Sequence, residues 1–130
     1  DGVKIFDGDL KEFELADVKI LSEKVSLQKG TVNNGGSNVY QLSVQNGAKV
    51  VMVAENTNNN NKEFFEFGVI DNGTDIFHTE YGNVRTGEQL IVPTFEKTAS
   101  GFARVNFDIG SSVTAGHNVV VTIVSNINKK

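Results

Sequence analysis

The stretch that decides the fold is Lys62–Leu90, KEFFEFGVIDNGTDIFHTEYGNVRTGEQL. Two β-type runs, Glu63–Ile70 and Asp75–Tyr81, flank Asp71-Asn72-Gly73-Thr74. Asn-Gly is a strong hairpin signal, because both residues tolerate the positive φ of a type I′ turn. Phe64, Phe65, Phe67, Phe77 and Tyr81 gather in the two arms. The pattern predicts a central hairpin with the remaining strands packed on it.

Downstream, Asn83–Gly87 reads as a turn and Gln89–Phe95 as a strand. Pro93 has no ladder donor, so that strand is expected at an edge or bulged. Ser100-Gly101 turns the chain, and Phe102–Ile109 alternates so that Val105, Phe107 and Ile109 share a face. Gly110–Asn118 is a polar loop. Val119–Val124 is a continuous β-branched run, which predicts a strand covered on both faces. Lys129-Lys130 is a solvated tail.

Upstream, Val50–Ala54 is apolar throughout and predicts a central strand. Asn56–Asn61 holds five asparagines and one threonine. Their side chains compete for backbone hydrogen bonds, so a mobile, exposed loop is expected. Asn46-Gly47 reads as a second hairpin turn, and Val39–Gln45 as a half-buried strand with Tyr40, Leu42 and Val44 on one face. Asn33-Asn34-Gly35-Gly36 is a loop tip, Gly2–Phe6 a short strand and Asp7-Gly8-Asp9 a turn.

Leu10–Leu27 reads in two ways. Leu10, Phe13, Asp17, Ile20 and Lys24 follow a helical spacing, but two of these five are charged. Phe13 and Leu15, Val18 and Ile20, and Val25 and Leu27 fit a period of two, with breaks near Ala16-Asp17 and Ser22-Lys24. Strands with a bulge are preferred, because β-branched residues suit the pleat and no helix cap is well placed. The expectation is a single all-β domain over residues 1–130, an antiparallel β-sandwich, jelly-roll or immunoglobulin-like, of about eight to ten strands. A closed barrel fits less well, since Pro93 and the uneven strand lengths imply edges.

The 130 residues carry a net charge of −4 with both signs interspersed. That argues against nucleic acid, which selects clustered Lys and Arg. No apolar run approaches the ~18 residues of a membrane-spanning helix, so no membrane partner is expected. The absence of cysteine excludes disulfides. No signal peptide is visible, and a chain starting at Asp1 rather than Met is compatible with processing or trimming ahead of it.

Chemistry has little purchase here. The histidines are His78 and His117, and no Gly-x-Ser-x-Gly, P-loop or His-Glu-x-x-His pattern occurs. His78 shares a strand face with Glu80, but a metal site needs a further ligand. Asp7, Asp9 and Glu12, and likewise Asp71, Asn72, Thr74 and Asp75, offer oxygens that suit Ca²⁺, yet ordinary turns account for both. Asn72-Gly73-Thr74 is a glycosylation sequon whose turn role already explains it. No catalytic residue, cofactor or metal is expected. Phe64 and Phe65 are adjacent and must point to opposite faces. If Phe65, Phe67 and Val69 face the core, Phe64, Glu66 and Ile70 share the other face. Either a second layer of the same domain covers that face, or it is a subunit interface.

From Lys49 onward the order of features is distinctive: an apolar strand, Asn56-Thr57-Asn58-Asn59, an acidic-aromatic strand and Asp71-Asn72-Gly73-Thr74. Thr79-Glu80-Tyr81-Gly82, Thr86-Gly87, Thr94-Phe95, Gly101-x-x-Arg104-Val105-x-Phe107 and Val119–Val124 follow. This order resembles a β-rich module of virion structural and fibre proteins of marine tailed bacteriophages, the T-even-type phages of cyanobacteria among them. The resemblance spans about the last eighty residues. The closing strand, Val119–Asn126, lacks the basic residue expected in that family, which puts any contact made by it in doubt.

The resemblance implies a non-enzymatic virion protein, a capsid decoration or a tail or fibre component, and it supplies no catalytic residues. Its partners would be other virion proteins and copies of itself, a trimer included, with a host-surface glycan as a further partner. Phe64, Glu66, Ile70, His78, Glu80 and Tyr81 are the interface residues this reading selects. The rival is a secreted carbohydrate-binding or adhesive module. Such modules stack sugar rings on exposed Trp or Tyr, and this chain has no Trp and two Tyr. A small carboxylate enzyme is a third reading.

Overall fold

The computed structural model describes residues 12–30, 39–98 and 101–129. The expected strand Gly2–Phe6, the turn Asp7–Asp9 and the loop tip Asn33–Gly36 lie outside them. The described residues form nine antiparallel strands in two sheets and no helix. One sheet has the order β1 (Glu12–Glu14), β2 (Val18–Gln28), β9 (Asn118–Asn128), β4 (Gly47–Asn56), β5 (Lys62–Asp71), β6 (Ile76–Arg85). The other has the order β3 (Val39–Ser43), β8 (Ala103–Ile109), β7 (Ile91–Lys97). The fold is an antiparallel β-sandwich, as the alternation predicts.

The core lies between the sheets. Phe65, Phe67 and Val69 of β5 face inward beside Val50, Met52 and Ala54 of β4 and Val121 and Ile123 of β9. Val105, Phe107 and Ile109 meet them from β8. Phe67 is the hub, set edge-on to Phe65 (6.5 Å) and Phe95 (5.4 Å) and 6.2 Å from Phe107. Edge-to-face rings are favoured by the aromatic quadrupole. Tyr40 packs on Phe107 from β3, half-buried, and burial beside Glu23 holds its hydroxyl pKa above the usual value.

Several details depart from expectation. Residues 72–75 close a four-residue loop in which only Gly73 takes a positive φ (+96°), so it is no type I′ turn. Asn72 Oδ1 instead accepts from the Thr74 and Asp75 amides, and Asp71 Oδ1 from that of Gly73. Asn46-Gly47 is not a hairpin, because β3 and β4 belong to different sheets. The Gly47 amide closes a tight turn on Val44 O at 2.9 Å, and Gln45 takes a φ of +51° to carry the chain across. β2 runs unbroken, with Leu21 and Glu23 filling the inward positions where a break was expected. β9 is covered on one face only: Thr122 and Val124 on the other are exposed. β7, with Pro93, is an edge strand as proline requires.

Candidate contact face and its groove

Alternation sends Phe64, Glu66, Gly68 and Ile70 of β5 to the face away from the core. The registers align this face into rows across β9, β4, β5 and β6. One row is Thr122, Val53, Phe64, Val84, and the next is Val124, Val51, Glu66, Gly82. No described residue forms a second layer here, so Val53, Val84 (63% exposed) and Val124 stand open to solvent. Phe64 is half-buried because its ring lies over Gly82, where a Cβ would sit 3.7 Å from Cε1. Of the charges on this face, Lys49 Nζ lies 3.0 Å from Glu66, Glu55 stands opposite Lys62, and Lys24 stands opposite Thr122.

A bulge then changes the surface. Glu66 opposes Gly82 but Phe67 opposes Glu80, so Tyr81 is the extra residue of β6. An inserted residue re-aims its side chain. The Tyr81 phenol end comes to rest over Gly68, where any Cβ would collide with the hydroxyl and lie 3.2 Å from Cζ. Tyr81 is nevertheless 60% exposed. Around it lies a groove of about 520 Å³, lined by Asn46, Lys49, Ile70, Phe77, Thr79 and Asn126 among others.

Of the six residues selected from sequence, the structure brings Phe64, Glu66, Ile70 and Tyr81 to this face. His78 and Glu80 go to the other, because they pair with the inward residues Val69 and Phe67. The His78 ring stacks on Phe95 of β7, with centroids 3.8 Å apart and planes at 12°. Together with Arg85 and Gln89 they border a crevice of about 220 Å³ at the open side of the sandwich. Among the described residues no group of three or more His, Asp or Glu is arranged to hold a metal ion.

Two carboxylates escape sequence reasoning. Glu63 is fully buried at the end of β5 and accepts the backbone amides of Leu90 (3.1 Å) and Ile91 (2.9 Å) and the guanidinium of Arg85. It anchors the β6–β7 connection to the core. Its signal was parity, since position 63 alternates with 65, 67 and 69. Glu88 organises the asparagine loop, which is not the mobile segment expected. The side-chain amides of Asn56, Asn59 and Asn61 all donate to its carboxylate. Asn56 is fully buried and also meets His117 Nδ1 at 3.1 Å, while Asn58 Oδ1 accepts the Asn118 amide. The Asn59 amide, followed by those of Asn61 and Asn56, holds the Glu88 carboxyl below its usual range. Asp71 is lowered by Lys97 at 2.6 Å, and Glu96 by Asn106 and Arg104.

No family model matches the chain, and no curated protein matches its sequence. Similar solved structures do exist. The tailspike protein of Acinetobacter baumannii phage AM24 gives a TM-score of 0.48 at 11% identity, covering 87% of this chain and 26% of that one. The tailspike of Acinetobacter phage vB_ApiP_P1 gives 0.46 at 17% identity, covering 79% and 21%. Tailspike gp49 of the A. baumannii phage Fri1, a capsular polysaccharide depolymerase, gives 0.43 at 16% identity, covering 90% and 19%. The chain thus spans about a fifth to a quarter of these proteins. All three come from phages, though of Acinetobacter rather than of marine cyanobacteria. The expectation of a non-enzymatic protein is corrected, because one of these similar structures is described as a depolymerase.

Proposed function

We propose that the chain is a module of a phage tail spike or fibre protein, and that it packs against copies of itself through the outer face of its six-stranded sheet. The observation that carries this is the open row of Val53, Phe64 and Val84 with its neighbour Val124. A contiguous apolar surface on a sheet face marks a partner surface. A second copy is the occupant that fits, because the charges bordering the patch come in both signs: Lys49 pairs with Glu66, Glu55 stands opposite Lys62, and Lys24 ends the row at Thr122. Two such faces can set the lysines of one copy against the glutamates of the other at the rim of the contact. The virion context follows the sequence resemblance of the region from Lys49 onward, and the tail is the part of the virion that the similar structures come from.

The test is light scattering on the purified chain over a wide concentration range, with Val84→Glu and Phe64→Ser alongside. An assembly larger than a monomer that Val84→Glu dissociates is the expected result. A wild-type monomer at every concentration, or an assembly indifferent to both substitutions, refutes the contact.

A further inference from the structure

We infer that the groove beside Tyr81 is a binding site for a neutral saccharide, with the tyrosine ring as the surface on which one pyranose unit rests. The site is distinct from the valine patch: it occupies the other end of the sheet face, two rows away from Val53 and Val84.

Three observations lead there. The first is the pairing of Tyr81 with Gly68. The bulge turns the side chain over β5, and the missing Cβ at 68 is what gives the phenol room. An exposed aromatic held in a fixed place presents an apolar surface with little rotamer freedom left to lose, which suits the C–H face of a sugar ring. The second is the composition of the rim. Asn46 and Asn126 line the far side of the groove with side-chain amides that, among the described residues, carry no intramolecular hydrogen bond. Each offers two donors and an acceptor, the combination that vicinal hydroxyls need. The third is charge. Among the described residues Lys49 is the one lysine, arginine, aspartate or glutamate lining the groove, and Glu66 neutralises it at 3.0 Å. An anionic ligand would have to break that pair, so a neutral sugar is favoured. The volume, about 520 Å³, lies within the usual range for small-ligand sites.

The probe is an array of bacterial surface oligosaccharides read with the labelled full chain. The strongest neutral hit is then titrated by calorimetry against wild type, Tyr81→Ala, Gly68→Ala and Val84→Glu. Tyr81→Ala should weaken binding about tenfold or more, which corresponds to ~1.4 kcal/mol. Gly68→Ala should do the same although the tyrosine remains, because the new methyl displaces the phenol. Circular dichroism shows whether each variant is folded, and Tyr81→Ala, which alters an exposed side chain, decides the matter if Gly68→Ala is not. Val84→Glu should bind like wild type even as a monomer, so failure of the assembly leaves this site standing. An array with no neutral hit overturns the assignment, as does affinity unchanged in Tyr81→Ala. Dissociation of the assembly by Tyr81→Ala also overturns it, since the groove would then belong to the contact between copies.

Discussion

Replacing Glu63 separates two roles that its carboxylate combines. One oxygen accepts two backbone amides, those of Leu90 and Ile91, and the other meets Arg85. In Glu63→Gln the carbonyl can still accept both amides, and only the charge is lost. Charge-assisted bonds exceed neutral ones by roughly 1 kcal/mol, and a neutral amide is easier to bury, so the net loss should be ~1 kcal/mol. In Glu63→Leu both buried amides lose their acceptor, at about 1–3 kcal/mol each. The added apolar burial returns ~2 kcal/mol. Arg85 contributes little to the cost, because its side chain is 35% exposed and can return to water. The leucine variant should therefore be about 2 kcal/mol less stable than wild type. Urea unfolding followed by circular dichroism reads this directly: with a slope of ~2 kcal/mol/M the midpoint falls by ~1 M for leucine and ~0.5 M for glutamine. Equal losses in the two variants would show that the ion pair, and not the amide acceptor, fixes the β6–β7 connection, and the reasoning would be wrong.

Three further outcomes can be checked by the same unfolding measurements. Ser125 is fully buried with a hydroxyl that has no hydrogen-bond partner among the described residues, so Ser125→Ala should stabilise by ~1 kcal/mol, and a loss of that size would contradict the geometry. Gly110 has no room for a Cβ, which would collide with Gln89 O and lie 3.1 Å from its carbonyl carbon; Gly110→Ala should cost ~2 kcal/mol or more, seen as a clear fall in melting temperature. Glu88 has a folded-state pKa below its unfolded one, so its contribution is complete above the unfolded value of about 4.3 and is lost as pH falls through the lower folded value. Glu88→Gln should thus weaken the fold at pH 7 and flatten the loss on acidification, whereas an unchanged acid profile would mean that the three asparagine amides contribute nothing.

How far the fold was legible depends on which physical signal each segment carries. Period-two alternation located β5, β8 and the inward set Val105, Phe107 and Ile109, because one face of each strand meets the core. Val119–Val124 misled, since β-branched residues favour strand geometry whether or not both faces are covered. Asn46-Gly47 announced a turn, but turn chemistry says nothing about which sheet receives the next strand. In the contact face, parity placed Phe64, Glu66 and Ile70 correctly. The division of Tyr81 from His78 and Glu80 also follows parity, but the placing of the Tyr81 phenol over Gly68 depends on a bulge that no turn residue marks. The Glu88 cluster was hidden because its donors and acceptor lie on opposite sides of the β5–β6 hairpin. Asparagine-rich sequence shows that backbone competition is available, not that a distant carboxylate will collect the amides left over.

Among the described residues the sandwich has four sheet edges, and none is both long and regular. β1 is three residues long and β3 five, β7 carries Pro93, and β6 is interrupted by the extra residue at Tyr81. An open, regular edge is a template on which a further strand can add without limit. None is offered among the described residues, so crowding many copies together should lead to face-to-face contacts that close on themselves rather than to growing fibrils. The bulge that aims Tyr81 at Gly68 thereby also acts as a stop against runaway polymerisation.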